Sequence, residues 1–442
     1  MKIQLSDHFT YKKLFRFTVP SVAMMLFTSI YGVVDGFFVS NYVGATPFAA
    51  VNLIFPFLMI FGAVGFMIGT GGTALVSKTL GEGDKKKANE TFSLLVYLLA
   101  AVGLVLSIVG IVLMKQVAIL LGADEGMLPH CVTYGRIIQI GLVPFMLQNL
   151  FQSFLVTAER PKFGLFITVA AGVGNMVLDY LFMGVFHWGI VGAASATVLS
   201  QCIGGLIPLI YFFSPNKSLL RLGKTHFDLK AIVKSATNGA SEFVTNISFS
   251  VVTILYNFQL MKFAGEKGVA AFGVLMYTSF IFVAVFIGYS IGTAPLFGFN
   301  YGAKNRNELH NLFKKSLISI AAFSLLLFGL SLICSYPFSA LYVGYDEELL
   351  SMTHRGYLIY SATFLFCGFN IFASSLFTSL NNGLVSALIS FGRTLVFQVI
   401  AIMLMPLVLK LDGVWAANVV AEVLALSVSV GFMVWGKKKY NY

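Results

Sequence analysis

The feature that most constrains this chain is a succession of apolar runs, each long enough to cross a bilayer, separated by short polar breaks. The runs predict twelve helices, near 14–40, 48–77, 91–114, 130–157, 163–186, 189–212, 233–260, 269–299, 316–342, 355–380, 384–409 and 413–436. About 20 residues at ~1.5 Å rise cover the ~30 Å of hydrocarbon. Composition agrees, with 58% hydrophobic residues and only 11% charged ones. A soluble domain could not clothe its surface with so few charges. The first run is too long for a cleaved signal and lacks a small-residue cleavage pattern, so it is expected to stay as the first span. The expected fold is an all-α polytopic membrane protein.

Basic residues set the expected orientation. The net charge of +11 need not mean nucleic acid, because Lys and Arg mark the cytoplasmic loops of membrane proteins. Of the 29 Lys and Arg, 23 fall on the side of the N-terminus, including Lys85 to Lys87, Lys217, Arg221, Lys304, Arg393 and Lys437 to Lys439. Only Lys115, Arg136, Lys262, Lys267, Arg355 and Lys410 fall on the other. Both termini are therefore expected inside, in a bacterial cytoplasmic membrane. The longest internal polar break divides the chain into an N-lobe (1–213), a cytoplasmic linker (214–232) and a C-lobe (233–442).

The two halves echo each other at an offset of about 221–223 residues. Gly44 followed by Ala49-Ala50 recurs as Gly265 followed by Ala270-Ala271. Ile68-Gly69-Thr70 recurs as Ile291-Gly292-Thr293, and Ala193-Ala194 as Ala416-Ala417. Six helices per half give both halves the same orientation. Parallel repeats of this kind suit two lobes that rock about a central substrate path.

Acids inside spans are costly and need a partner or a task. Four qualify: Asp35, Asp179, Glu242 and Glu422. Helix rise places Asp35 roughly 8 Å, Asp179 roughly 10 Å and Thr197 roughly 12 Å below the outer surface. Asn175 lies one turn inward of Asp179 on the same face. Two carboxylates, an amide and a hydroxyl form an oxygen set suited to Na⁺, and the same carboxylates can instead share a proton. The plainer alternative is that each acid caps or pairs locally. Tyr31, one turn before Asp35, can donate to its carboxylate. Pro20 removes a backbone bond from the same helix and predicts a kink, or is an ordinary tolerated proline. Glu242 either contacts a cationic substrate or a second ion, or caps a kink at Gly239. Glu422 and Arg393 read as a structural salt bridge. Met24, Met25, Met59, Met67 and Phe151 are candidates for a pliable apolar cavity. Tyr256, which the repeat sets opposite Asp35, joins that set.

Other chemistries fall away. Gly72 to Thr79 reads G-x-x-x-x-S-K-T, but the second glycine of a phosphate loop is missing and no strand precedes it. The six His show no HExxH, and Cys131, Cys202, Cys334 and Cys367 form no CxxC. No enzyme, cofactor, resident metal or nucleic-acid partner is expected. The expected partners are the bilayer and small molecules, and the chain is expected to act as a monomer.

At this point the residues resemble a family, the multidrug and toxic compound extrusion (MATE) transporters, and within it the bacterial DinF/MepA-like branch. The resemblance covers nearly the whole chain. It rests on Pro20 followed by Asp35, Asn175-x-x-x-Asp179, Thr197, the Glu159-Arg160-Pro161 turn and Gly192-Ala193-Ala194. It implies twelve helices in two pseudo-symmetric six-helix lobes, and an antiporter exporting amphipathic, often cationic compounds against Na⁺ or H⁺. By the same resemblance Asp35, Asn175, Asp179 and Thr197 bind the cation, Tyr31 supports them and Pro20 bends. One departure is that span 355–380 lacks the acid another bacterial branch carries there, so a C-lobe cation site of that type is not expected. The alternative function is a lipid-linked oligosaccharide flippase of the same wider superfamily.

Overall fold

The computed structural model describes residues 3–440 and Tyr442, and the described residues are helical with no strand. In the N-lobe α1 is Tyr11–Tyr42, α2 Ala45–Gly81 and α3 Lys85–Leu120. Helix α4 is Leu128–Ile140 followed by Leu142–Thr157, bent by 56° at Gly141. Helix α5 is Pro161–Asp179 continued by a π turn, Tyr180–Val185, and α6 is Gly189–Phe213. In the C-lobe the run Leu229–Gly302 breaks at Gly265, giving α7 (229–264) and α8 (266–302). Helix α9 is Arg306–Val343. Helix α10 is Glu347–Ser361, a 3₁₀ turn Ala362–Leu365, and Cys367–Ser379. Helix α11 is Gly383–Phe391, a π turn Gly392–Val396 and 397–409. A break at Lys410 then starts α12 (411–440).

The predicted repeat reappears in the backbone. Left-handed φ values occur at Gly44 and Gly265, Gly83 and Lys304, Glu159 and Asn381, and His187 and Lys410. Members of each pair stand 221–223 residues apart. These are turn positions, where the chain must reverse between spans and a left-handed residue ends the helix. Three of the four C-lobe positions carry a side chain where only glycine is free of strain.

The lobes pack inward with small residues and outward with large apolar ones, as membrane helices do. On α3, Gly103, Ser107, Gly110, Met114 and Ala118 are buried, while Leu104, Val105 and Val112 are exposed. On α9 the inward stripe is serine: Ser316, Ser324, Ser331, Ser335 and Ser339 are buried. Ser316 takes the Tyr289 hydroxyl at 3.1 Å, and Ser331 pairs with Ser361 at 2.6 Å.

Glycine lets the lobes meet closely on the side that carries both termini. A Cβ on Gly239 of α7 would stand 1.8 Å from the Met67 carbonyl oxygen of α2. One on Gly302 would stand 2.0 Å from the Lys78 carbonyl oxygen. Helix α1 joins the seam where Gly288 and Gly292 of α8 receive Ser21, Val22 and Thr18. The segment before α1 bridges both lobes. Leu5 N–H donates to Glu159 Oε1 at 2.9 Å on the N-lobe side. Phe9 N–H donates to Glu308 Oε1 at 2.9 Å on α9. The connection 214–228 lies along the end of α3, with Arg221 N–H donating to Asn89 Oδ1 at 2.6 Å and Thr225 Oγ1 to the Glu90 carbonyl at 2.7 Å.

One assignment needs correction. Arg393, placed by the charge count among the terminal-side loops and by the acid survey beside Glu422, lies in the π turn of α11, within the lobe and largely buried. Its partner is Glu422, not the polar surface, because an unpaired guanidinium at that depth would be prohibitively costly.

Candidate functional site

Three helices converge in the N-lobe. Helix α1 brings Asp35, α5 brings Asn175 and Asp179 one turn apart, and α6 brings Thr197. Asp179 is fully buried and Asn175 is 1% exposed. The Asp35 carboxylate faces both Asp179 and Asn175. Yet Asp35 Oδ1, both Asp179 oxygens and both polar atoms of the Asn175 amide make no hydrogen bond. Buried polar atoms in proteins are nearly always paired, so five orphans in one place point to a ligand. Asp179 is also the last α-helical residue before the π turn, a local widening that recurs at functional sites.

Neutral oxygens complete the set. The Thr197 hydroxyl donates to the Ala193 carbonyl at 3.1 Å, which leaves its oxygen lone pairs free to accept or coordinate. Tyr134 of α4, which the sequence reading passed over, points its hydroxyl at Thr197 within electrostatic reach of both acids. The Tyr31 hydroxyl lies near Asp35 and faces the Gln148 amide. Its ring rests on α5 at Gly172, where a Cβ would stand 3.0 Å from Tyr31 Cδ1. Among the described residues no three His, Cys, Asp or Glu gather as metal ligands. Two acids plus neutral oxygens form a hard donor set, able to hold a hard cation or to share a proton.

The remaining predicted residues scatter. Pro20 is buried on α1, which runs through it as a helix. Met24 and Phe151 line a small cavity inside the N-lobe, and Met59 lines a cleft beside Thr197 and Tyr134. Met25 is half-buried on α1, and Met67 sits at the α2–α7 seam. Tyr256 is 3% exposed in the C-lobe core, stacked on Phe272 at 4.8 Å and donating to Gln398 Oε1 at 3.1 Å. Its position beneath Phe272 keeps it out of the space between the lobes. Glu242 is half-buried on α7, where Arg393 is the charge it faces, and α7 passes Gly239 without a break.

In the C-lobe the Glu422 group is paired, although Ser235, Asn238, Ser324 and Tyr357 each leave a buried polar atom without a partner. Arg393 Nε donates to Glu422 Oε1 at 2.8 Å, and Asn370 Nδ2 donates to Glu422 Oε2 at 2.7 Å. Ser429 in turn donates to Asn370 Oδ1 at 2.7 Å. A second group links Tyr256, Gln398, Asn418 and Thr363. Asp35 and Asp179, whose repeat counterparts are Tyr256 and Ala401, thus sit in the lobe with the orphan cluster.

The MatE family model matches twice, over residues 20–181 and 243–404, the same register shift as the repeat. "Multidrug export protein MepA" of Staphylococcus haemolyticus (strain JCSC1435) is 24% identical over 366 residues, 81% of this chain and 80% of that protein. The protein of the same name from Staphylococcus aureus (strain MSSA476) is 23% identical over 372 residues, with the same coverage. Among solved structures, "Outward-facing conformation of a multidrug resistance MATE family transporter of the MOP superfamily" matches with a TM-score of 0.91 at 22% identity. It covers 98% of this chain and 97% of that one. "Crystal structure of MATE in complex with MaL6" matches with a TM-score of 0.91 at 21% identity and the same coverage. With the family model matched over most of its length in two consecutive copies, this chain belongs to the MatE family.

Proposed function

We propose that this protein is a secondary active antiporter of the bacterial plasma membrane. It exports amphipathic, often cationic compounds in exchange for inward-moving Na⁺ or H⁺, with both termini cytoplasmic. The observation that carries the reading is the orphaned cluster of Asp35, Asn175 and Asp179 in a membrane-embedded lobe. The relatives named as multidrug export proteins support the substrate class.

The chemistry follows from charge. Two bare carboxylates about 4 Å apart at an effective dielectric near 20 repel by about 4 kcal/mol. A cation or proton removes that repulsion and satisfies the orphan oxygens, drawing α1 toward α5. Helix α1 touches the C-lobe seam at Thr18, Ser21 and Val22 and carries Asp35 at its other end. A shift at Asp35 is therefore felt at the lobe junction, where Pro20 lies among the contacting residues. The lobes meet closely on the terminal side, which matches a state open to the outside.

Purified protein in proteoliposomes tests the reading, with a Na⁺ gradient and a pH gradient imposed separately. Asp35→Asn and Asp179→Asn are each expected to abolish gradient-driven efflux of a cationic dye while still folding and inserting. Normal efflux by either variant refutes the assignment.

A further inference from the structure

The orphan polar atoms do not stop at the acid cluster. Gln148 and Gln152 of α4 are each 6% exposed, and the Oε1 atom of each has no hydrogen-bond partner. Both amides line a water-sized cavity inside the N-lobe, together with Thr168 of α5 and Met24 of α1. Glycine makes room for them: a Cβ on Gly204 of α6 would stand 2.5 Å from Gln148 Cδ. Leu155 and Gly164 also line it, with Leu155 Cβ 3.5 Å and Met24 Sδ 3.7 Å from a Cβ placed on Gly164.

We infer that Gln148, Gln152 and Thr168 line a single-file hydrated route through the interior of the N-lobe, along which the coupling cation or proton leaves the Asp35–Asp179 cluster toward the cytoplasm. The route rests on the antiport reading above and adds a path separate from the one the exported compound takes between the lobes.

Spacing supports it. Counted from the terminal-side helix ends, Asp179 lies roughly 27 Å deep, Asn175 roughly 21 Å, Gln148 roughly 14 Å, Thr168 roughly 10 Å and Gln152 roughly 8 Å. Successive groups differ in depth by at most about 7–8 Å, an offset that a few waters cover at ~2.8 Å per hydrogen bond. Tyr31 connects the two ends, since its hydroxyl lies near Asp35 and faces Gln148. Polarity selects the sign of what passes. The orphan atoms lining this cavity are both amide oxygens, the negative ends of their dipoles, which attract a cation or donated protons. A buried amide without a partner costs about 1–3 kcal/mol, so two in succession have a use other than local helix packing. The cavity is too small for an amphipathic compound, which separates this path from substrate export.

The test uses full-length protein in proteoliposomes, with Na⁺ and pH gradients each imposed. Gln148→Leu, Gln152→Leu and Thr168→Val are expected to slow efflux of tetraphenylphosphonium by about tenfold. Its binding affinity in detergent should stay within about twofold, because ground-state binding is untouched. Gln152→Asn, which restores a polar lining, is expected to recover at least half of the rate. Should a leucine variant fail to fold, Thr168→Val, close to isosteric, decides the matter. Wild-type efflux rates in the folded variants overturn the route, as does an equal loss with Gln152→Asn. Asp35→Asn is measured alongside. If that variant also exports normally, the antiport reading itself fails, and the two failures remain distinguishable.

Discussion

Removing Glu422 is expected to be among the most destabilising single changes in the C-lobe. The residue is 2% exposed and serves two donors, Arg393 Nε at 2.8 and 3.1 Å and Asn370 Nδ2 at 2.7 Å. Glu422→Leu leaves the Arg393 guanidinium buried without its counter-ion, and the Asn370 amide without one acceptor. Breaking a buried pair from one side costs about 3–5 kcal/mol. Arg393→Met leaves the carboxylate with Asn370 still bound, so it is expected at the lower end of that range. The double replacement Arg393→Met with Glu422→Leu removes both charges and keeps apolar volume, and is expected to cost far less than the sum of the two. The coupling between the sites is then about 3 kcal/mol. SDS-titrated unfolding of the four proteins in mixed micelles measures it. Single variants that add to within about 0.5 kcal/mol refute the reasoning, since independent sites behave so.

Gly239→Ala is expected to force α7 off α2, costing about 1–3 kcal/mol as overpacking does, because its Cβ would stand 1.8 Å from the Met67 carbonyl. Spin-label distances across the terminal side of the lobes should widen, and unchanged distances count against the seam. Glu308→Gln weakens the acceptor that Phe9 N–H and His8 Nδ1 share. Charge-assisted bonds are worth about 1.5–3 kcal/mol, so exchange of the Phe9 amide should quicken by at least about tenfold. At the turn between α9 and α10, the bond from Lys267 and that from the Leu349 amide hold the Asp346 carboxyl below its ordinary range. The stabilisation this gives is complete above the unfolded value of about 3.9 and is lost only as pH falls through the lowered one. Protease resistance of residues 344–347 should therefore be flat from neutral pH down to about 5. Asp346→Asn should lower it there, and equal resistance in the variant argues against the pairing.

Architecture was legible in the sequence because it follows from burial and reach. Runs of apolar residues between Gly, Asn and charged breaks predict the spans, and the repeat in small residues predicts the duplicated turns at Gly44 and Gly265. The Arg393–Glu422 pair followed from cost alone, since two ionisable groups in adjacent spans of one lobe have few other partners. Other features depend on helix rotation, which residue spacing within one helix does not specify between helices. Tyr134 and the amides of Gln148 and Gln152 sit in spans that otherwise read as ordinary apolar sequence, and attention to ionisable groups alone passes over them. Amides recurring one turn apart in α4 were the available signal. Tyr256 shows the converse. The repeat places it opposite Asp35, but the stack with Phe272 turns it into the C-lobe core. The π turns after Asp179 and around Arg393 also left no mark in the apolar pattern, because one extra residue per turn changes register without changing composition.

The unequal lobes make one further prediction. The N-lobe holds two acids with unpaired buried oxygens while the C-lobe pairs Glu422 with Arg393 and Asn370, so the N-lobe cluster has the most free energy to gain from a cation. A ligand that binds the folded state alone stabilises it by about 2.7 kcal/mol at a hundredfold excess over its dissociation constant. Detergent-solubilised protein should thus show a rise in unfolding midpoint when the coupling ion is added. For Na⁺ this is read at constant ionic strength against choline, and for protons along a pH series. Asp179→Asn is expected to abolish the rise, because it removes one of the two charges that the ion neutralises. The Arg393→Met, Glu422→Leu double variant is expected to keep it in full, since the pair it removes is already satisfied without a ligand. A rise that survives Asp179→Asn, or disappears in the C-lobe double variant, places the energetic coupling elsewhere and sinks the division of labour between the lobes.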